Sequence, residues 1–394
     1  MARVWSHILL FLVAISELSA DTDIYVSSTR GSDTHGDGSF QRPFASLQRG
    51  QRFVRDIVTR AQEGNIVVNV GAGTYFTPEP LTFTAEDSPA RHGRTTYRGP
   101  PTDSNPGEQA LVYGGISVPC TMWSKHTAHI WKANLSTILP AAPSPTLAPQ
   151  PQRYPSVPLP PLLQLPFQVL VEGTEAAVLA RTPERGSGYL RDLGCSVDDG
   201  TLTCPRGVLP QASTMQKNIA DMSVFCNTGA GWDGETRAVE KLSSSSSGGV
   251  AVSYYAPSRT CGGDCNNKTY IQGSPVFITE PGEWAFDSKR TTLYYWPRDT
   301  TGVLNGTVSV VAATASRVLD VAGESFANKA KLATRLSFER LTIVGSDFSH
   351  NYVCDFWTRT PEPFREGMIR IENATDIEVQ SLLERSNRST EPSS

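Results

Sequence analysis

The sequence predicts an all-β protein that ends in a solenoid of parallel strands and carries an amphipathic helix near its N-terminus. Three observations carry this. Gly and Pro supply 32 and 28 of the 394 residues, above average usage, and the Val, Thr, Tyr and Ser content favours strands joined by many turns. Apolar-x-apolar segments separated by short polar corners recur in the last quarter of the chain, as they do where inward aliphatics stack coil upon coil. A helical apolar period marks Ser46 to Ala61.

Residues 1–20 read as a secretory signal. Arg3 is a small positive region, Ile8 to Ile15 is an unbroken apolar run and Ala20 is a small residue before Asp21. That run is too short to cross a bilayer as a helix, and no later stretch reaches spanning length, so a secreted, extracellular and soluble product is expected. Residues 21–131 form a cap and the first strands. Ile24-Tyr25-Val26 is a short strand, and Gly31 to Gly38 is dense in turn residues. In the following helix Leu47, Phe53, Val54, Ile57, Val58 and Ala61 share a face. Ile66 to Val70 is a buried strand ended by Gly71-Ala72-Gly73. The Asp33 to Gly38 turn suggests a calcium loop, but His35 and Phe44 stand at positions that need oxygen ligands. No metal and no cofactor are expected.

Residues 132–166 are a Pro-rich insertion with ten prolines between 140 and 166. It reads as an exposed, polyproline-like spacer rather than a ligand for a proline-binding groove. Residues 167–300 read as strands, among them Phe167 to Gly173 and Val250 to Tyr255. A hairpin joins Glu283–Asp287 to Thr292–Trp296 through Ser288-Lys289-Arg290-Thr291. Its aromatics, Trp284, Tyr294, Tyr295 and Trp296, are expected to pack a core, with a sugar-stacking platform as the alternative. In residues 301–380, Leu336 to Ile343 can be laid over Ile369 to Val379, with Arg317 to Val321 as a preceding strand of the same stack. Residues 381–394 are a polar tail.

Seven cysteines follow the signal, and most should pair in an oxidising compartment. Asp-Asp-Gly lies midway between Cys195 and Cys204, so a hairpin would bring their sulfurs together. Cys261 and Cys265 could close a small ring, or each could bond to Cys226; the odd thiol, read as Cys354, is free or intermolecular. Five Asn-X-Ser/Thr sequons, at Asn134, Asn267, Asn305, Asn373 and Asn387, fit passage through the secretory route.

With a net charge of −4 and 19% charged residues, the chain lacks the clustered basic footprint of a nucleic-acid binder and the charge density of a polyelectrolyte. Nucleophile-elbow, zinc-helix, phosphate-loop and dinucleotide signatures are missing, and His126-Thr-Ala-His129 has no third ligand nearby.

The ordered set of Ile24 to Asp33 with Arg42-Pro-Phe-Ala-Ser-Leu-Gln48, Val70 to Tyr75, Leu111-Val-Tyr-Gly-Gly115, Ala180-Arg-Thr-Pro183, Pro281 to Asp287 with Leu293 to Pro297, and Leu336 to Ile343 resembles secreted right-handed parallel β-helix proteins of the pectin-lyase-like type. The likeness is to glycoside-hydrolase-like members with an inserted β-sandwich. It implies a right-handed parallel β-helix with a capping helix, an inserted β-sandwich-like domain at 167–300, and action on complex polysaccharide. The family's catalytic acids generally lie on later coils, so the stack here reads as incomplete and C-terminally truncated. The outward acids Glu339, Glu372 and Glu378, with the loop acids Asp347, Asp355, Glu362 and Glu366, read as surface charges. Asp347, His350 and Asp355 form the local titratable cluster to test first, beside Tyr352, Phe356 and Trp357. Three functions follow: a glycoside-hydrolase-like enzyme, a non-catalytic carbohydrate-binding or matrix protein, and a polysaccharide lyase of the same fold. The expected partner is a polysaccharide or glycan, and no turnover is expected of these 394 residues.

Overall fold

The computed structural model describes residues 21–60, 64–89, 93–101, 108–139, 165–198, 200–227, 234–245, 248–255, 268–325, 327–328, 331–347, 367–381 and 383–385. The expected signal at residues 1–20, most of the Pro-rich tract, Asn267, Asn387, Cys261, Cys265, Cys354, His350, Asp355, Glu362 and Glu366 lie outside the described residues. The chain is all-β apart from short helices.

It enters on β1 (Thr22–Val26), crosses helix α1 (Leu47–Thr59), and continues through β2 (Ile66–Val70), β3 (Gly73–Phe76), β4 (Leu81–Phe83), β5 (Thr95–Arg98) and β6 (Ala110–Tyr113). A long excursion then carries β7 (Gly115–Val118), β8 (Trp123–Lys125), β9 (Trp131–Asn134), β10 (Val169–Glu172), β11 (Glu175–Ala176), β12 (Val178–Leu179) and β13 (Arg181–Thr182). It goes on through β14 (Ser196–Asp198), β15 (Thr201–Cys204), β16 (Ser223–Asn227), β17 (Gly234–Ser244), β18 (Val250–Tyr254), β19 (Thr269–Gln272), β20 (Glu283–Asp287), β21 (Thr292–Tyr295) and β22 (Val310–Ala313). The last strands are β23 (Leu319–Ala322), β24 (Ala333–Glu339), β25 (Leu341–Val344), β26 (Ile369–Glu372), β27 (Ala374–Gln380) and β28 (Leu383–Arg385).

The first six and last six strands build three parallel sheets, ordered β1-β2-β5-β24-β27, β3-β6-β25-β28 and β4-β23-β26. From β2 onward the chain visits them in one repeating order, first, second, third. Parallel neighbours in register place like positions above one another. Ile24, Val68, Tyr97 and Phe338 form one inward column, Tyr75, Val112 and Ile343 a second, and Leu81 and Leu319 belong to a third. All of them fall in one buried cluster. Phe83, Tyr97 and Phe338 meet at 4.9–5.8 Å between ring centroids, the range in which aromatic pairs add to area burial.

Local chemistry fixes the ends of α1. The Ser46 side chain accepts from the Arg49 N–H and caps the helix, while both Asp33 carboxylate oxygens hold Ser46. Leu47, Val54 and Ile57 pack into the same cluster as β1 and β2. Corners between strands are one residue long where the coil turns sharply: Arg340 (φ 54°) joins β24 to β25, and Asn373 (φ 47°) joins β26 to β27. Gly99 sits beside Arg340, where an added Cβ would lie 2.0 Å from the Arg340 carbonyl, so only glycine fits.

One register expectation is corrected. Leu336 pairs with Ile377 rather than with Ile369, and Ile369 pairs with Leu319. Both segments read strand-corner-strand, but they start on different sides of the coil; an apolar alternation of period two is the same on all three sides and cannot say which side a strand occupies.

The excursion leaves at Gly114 and returns at Thr314, whose N–H donates to the Gly114 carbonyl. β7 and β22 pair antiparallel beside that junction, Gly115 opposite Ala313. The excursion holds a sheet ordered β11-β10-β22-β7, a second ordered β12-β20-β21-β9-β8 and a third ordered β13-β19-β16-β17-β18-β15-β14. Residues 115–134 thus pair with strands from 169 onward. The first of these sheets is apolar on both faces: Leu170, Val310 and Ala312 pack with Trp284, Phe286 and Tyr295 of the second sheet, while Val169, Val171, Val311 and Ala313 pack on Tyr113 and Val344 of the coil. The expected hairpin is present as β20–β21, and Cys195 and Cys204 are disulfide-bonded across β14–β15. Cys226 is also disulfide-bonded, and Cys120 is a free thiol.

Candidate functional site

Alternation along the strands of the first parallel sheet turns its polar residues outward. Register aligns these positions into two rows: Tyr25, Asn69, Arg98, Glu339 and Gln380, and Asp23, Val67, Thr96, Ser337 and Glu378, the second row being apolar at Val67 and buried at Thr96 and Ser337. At roughly 4.8 Å per strand, five strands make a ladder about 19 Å long. The outer face of the second parallel sheet is covered by the excursion. That of the third carries the Arg370–Asp320 pair, with two contacts of 2.5 and 2.8 Å.

The ladder is cross-braced. Asn69 Nδ2 donates to Asp23 Oδ1 at 2.8 Å, and Arg98 Nε donates to Glu339 Oε2 at 2.8 Å. Arg94 Nη2 lies 2.6 Å from Asp376 Oδ1 and 3.1 Å from Glu378 Oε1. Ser337 Oγ and Gln380 Nε2 complete the contacts to Glu339 and Glu378. Tyr25 meets Phe40 edge-on at 5.3 Å between centroids, and the Arg30 guanidinium lies 5.5 Å from the Phe40 ring. Phe40 is 55% exposed. One end of the ladder is therefore aromatic and the rest is a run of amide, guanidinium and carboxylate groups, the mixture that orients a polyhydroxylated ligand.

Asp347, the described member of the expected titratable cluster, braces the two halves of the molecule. Its Oδ1 accepts from the Gln168 N–H at 2.9 Å, and its own N–H donates to Ala315. Of the outward acids, Glu339 and Glu378 are bound by arginines as above, and Glu372 lies 3.3 Å from Arg370. Trp284 and Tyr295 are core residues. Tyr294 and Trp296 are half-buried and carry His126 edge-on and His129 stacked at 4.5 Å. Burial, with the Lys132 charge second, pulls the His126 imidazole below its ordinary value.

Three buried acids raised above their ordinary values lie away from the ladder and hold loops. Burial pushes Asp87 up against the opposing effect of Arg55, which is 2.9 Å away. Burial and then the Asp287 charge push Asp221 up while it accepts from the Ser288 N–H. Glu283 is raised by burial while accepting from Thr279 and Glu280. Reasoning from sequence missed Tyr25, Phe40, Asn69, Arg94 and Arg98. The polar member of each apolar-x-apolar strand was the available signal, once the register was known.

No family model matches the sequence, and no curated protein sequence matches it. Among solved structures the fold is similar to that of a protein described as a glycoside hydrolase, with a TM-score of 0.56 and 19% identity over 83% of this chain and 51% of that one. The chain spans about half the length of that protein. The fold of this all-β chain is glycoside-hydrolase-like.

Proposed function

We propose that the chain is a secreted, carbohydrate-active glycoprotein of the right-handed parallel β-helix type, and that it holds an extended polysaccharide along the outward ladder of the first parallel sheet. In this reading residues 1–20 direct export, 21–114 and 314–385 supply the coil, 115–313 form the inserted sandwich-bearing excursion with 132–166 as a spacer within it, and 386–394 are a tail; the insertion is thus wider than the expected 167–300, and the expected tail at 381–394 begins after β28. The observation that carries the proposal is the cross-braced polar ladder with Tyr25 and Phe40 at one end. The glycoside-hydrolase-like fold supports it.

Binding without turnover is the behaviour this ladder supports. A glycosidase needs one carboxyl as acid and a second at a set distance as base or nucleophile. Here Asp23 is held by Asn69, Glu339 by Arg98, and Asp376 and Glu378 by Arg94. Each is a braced positioning group. The test is affinity electrophoresis and reducing-sugar release with the full chain on a polysaccharide panel. Retardation by at least one polysaccharide, weakened in Tyr25→Ala, is expected without sugar release. Release by the wild-type chain would overturn the binding-only reading, and retardation unchanged in Tyr25→Ala and Arg98→Ala would overturn the location.

A further inference from the structure

The described sequons differ in what their asparagines do. Asn305 ends the short helix Thr300–Asn305, whose Asp299 cap accepts from the Gly302 N–H. It is exposed, and Gly306 follows in the left-handed region (φ 80°). Its Oδ1 accepts from both the N–H and the hydroxyl of Thr307, at 2.9 and 2.7 Å. The sequon is folded into a tight turn by its own residues, with the carboxamide oxygen engaged by the hydroxyl two positions on. A turn of this kind uses no distant partner, so it can form before the rest of the chain folds.

Asn134 shares the exposure and the local bond, though it stands at the end of β9 opposite Thr292: its Oδ1 accepts from the Ser136 N–H at 2.9 Å. Its Nδ2 makes a long contact of 3.4 Å to the Arg290 carbonyl.

Asn373 differs in burial and in backbone. It is the half-buried corner between β26 and β27, at φ 47°. Its Nδ2 points back one coil and donates to the Gly323 carbonyl at 3.1 Å, and its own carbonyl accepts from Ala333. The coils approach so closely there that a Cβ on Gly323 would lie 2.1 Å from the Asn373 carbonyl oxygen. The other sequon residues, Ala374 and Thr375, are ladder-paired with Ala333 and Thr334. A glycan on Nδ2 would have to leave from between two stacked coils and would disturb the bond that sets the corner.

We propose that Asn305 and Asn134 are N-glycosylation sites of the mature protein, and that Asn373, though it satisfies the same sequence rule, is a structural asparagine that stays unmodified. The proposal rests on the secretory reading. The acceptor in each case is the side-chain amide nitrogen and the ligand is an N-linked oligosaccharide. Modification precedes complete folding, so selection acts through the local turn at Asn305 and Asn134, and through failure of modified chains to close the corner at Asn373.

The experiment is secretion of the full chain from a eukaryotic cell line, followed by site-by-site glycopeptide mass spectrometry of the folded product before and after enzymatic deglycosylation. Asn305 and Asn134 are expected to be occupied and Asn373 empty. Thr307→Ala should remove one glycan step from the gel mobility, whereas Thr375→Val, which deletes the sequon but keeps Asn373, should leave the mobility unchanged. Occupancy at Asn373 equal to that at Asn305, or an empty Asn305 in a chain glycosylated elsewhere, overturns the proposal. A chain retained in the cytosol with no glycan on any of the five sequons overturns the secretory reading instead, and the proposal with it.

Discussion

Arg98 on β5 bonds Glu339 on the neighbouring β24 at 2.8 Å, joining positions 241 residues apart in sequence across one step of the ladder. Both side chains are partly open to solvent, so the pair is expected to contribute less than about 1 kcal/mol to stability. Hydrogen bonds from a charged group to a ligand are worth about 1.5–3 kcal/mol. Arg98→Ala should therefore lower polysaccharide affinity about tenfold or more while barely moving the melting temperature. Affinity electrophoresis beside thermal melts checks this; a large stability loss with unchanged retardation would make Arg98 structural only.

Phe338 and Ile371 both occupy inward columns, Phe338 above Tyr97 and Ile371 above Val321. Phe338 is 1% exposed and Ile371 is 49% exposed. Phe338→Ala should cost about 3–5 kcal/mol through lost burial and a cavity, and Ile371→Ala less than about 1.5. Denaturant unfolding of the two variants measures the difference directly.

Burial pushes the Tyr113 hydroxyl, which donates to the Gly173 carbonyl at 2.6 Å, up to about 12. The folded protein therefore holds this proton more tightly than the unfolded chain, whose tyrosines titrate near 10. The resulting stability is fully present below about pH 10 and is lost as pH rises through 12, amounting to about 2–3 kcal/mol for this group. Tyr113→Phe should be less stable than wild type at pH 8 by about 1 kcal/mol, with the gap closing between about pH 10 and 11 and reversed by about pH 12, where the wild-type chain has lost the larger contribution of this group. Parallel melting curves of the two chains across that range decide it.

The Cys195–Cys204 bond closes a loop of sequence separation 9. In the chain-entropy account a loop of that size contributes on the order of 2.5–3 kcal/mol. The double variant Cys195→Ser, Cys204→Ser should lose about that much, measured by denaturant unfolding. Equal stability of wild type with and without reductant would show that the bond adds nothing.

Much of this fold was legible in the sequence because it is written locally. The helix at 47–59, its Ser46 cap, the 283–296 hairpin and the 195–204 loop depend on residues a few positions apart. The side of the coil each strand occupies was not legible. Leu336 and Ile369 sit in identical local patterns, and only the stacking of Ile377 on Leu336 separates them. The ladder was hidden for the same reason: Asn69, Arg98 and Glu339 are unremarkable singly and become a row only through register. Asp347 was noticed for its chemistry, yet its partners, Gln168 and Ala315, make it a brace.

The junction at Gly114 and Thr314 gives the excursion two opposed properties. Because its exit and return are bonded neighbours, topology would allow everything between them to be cut away and the coil rejoined without moving a strand. Solvation would not. Phe76, Leu111, Tyr113 and Val344 pack against β10 and β22, so a shortened chain would turn a dry wall of the coil toward water. The excursion is an appendage in its wiring and a supporting wall in its wetting. Substitutions on β10 and β22 must therefore satisfy two interiors at once, a constraint that loops at the other corners escape.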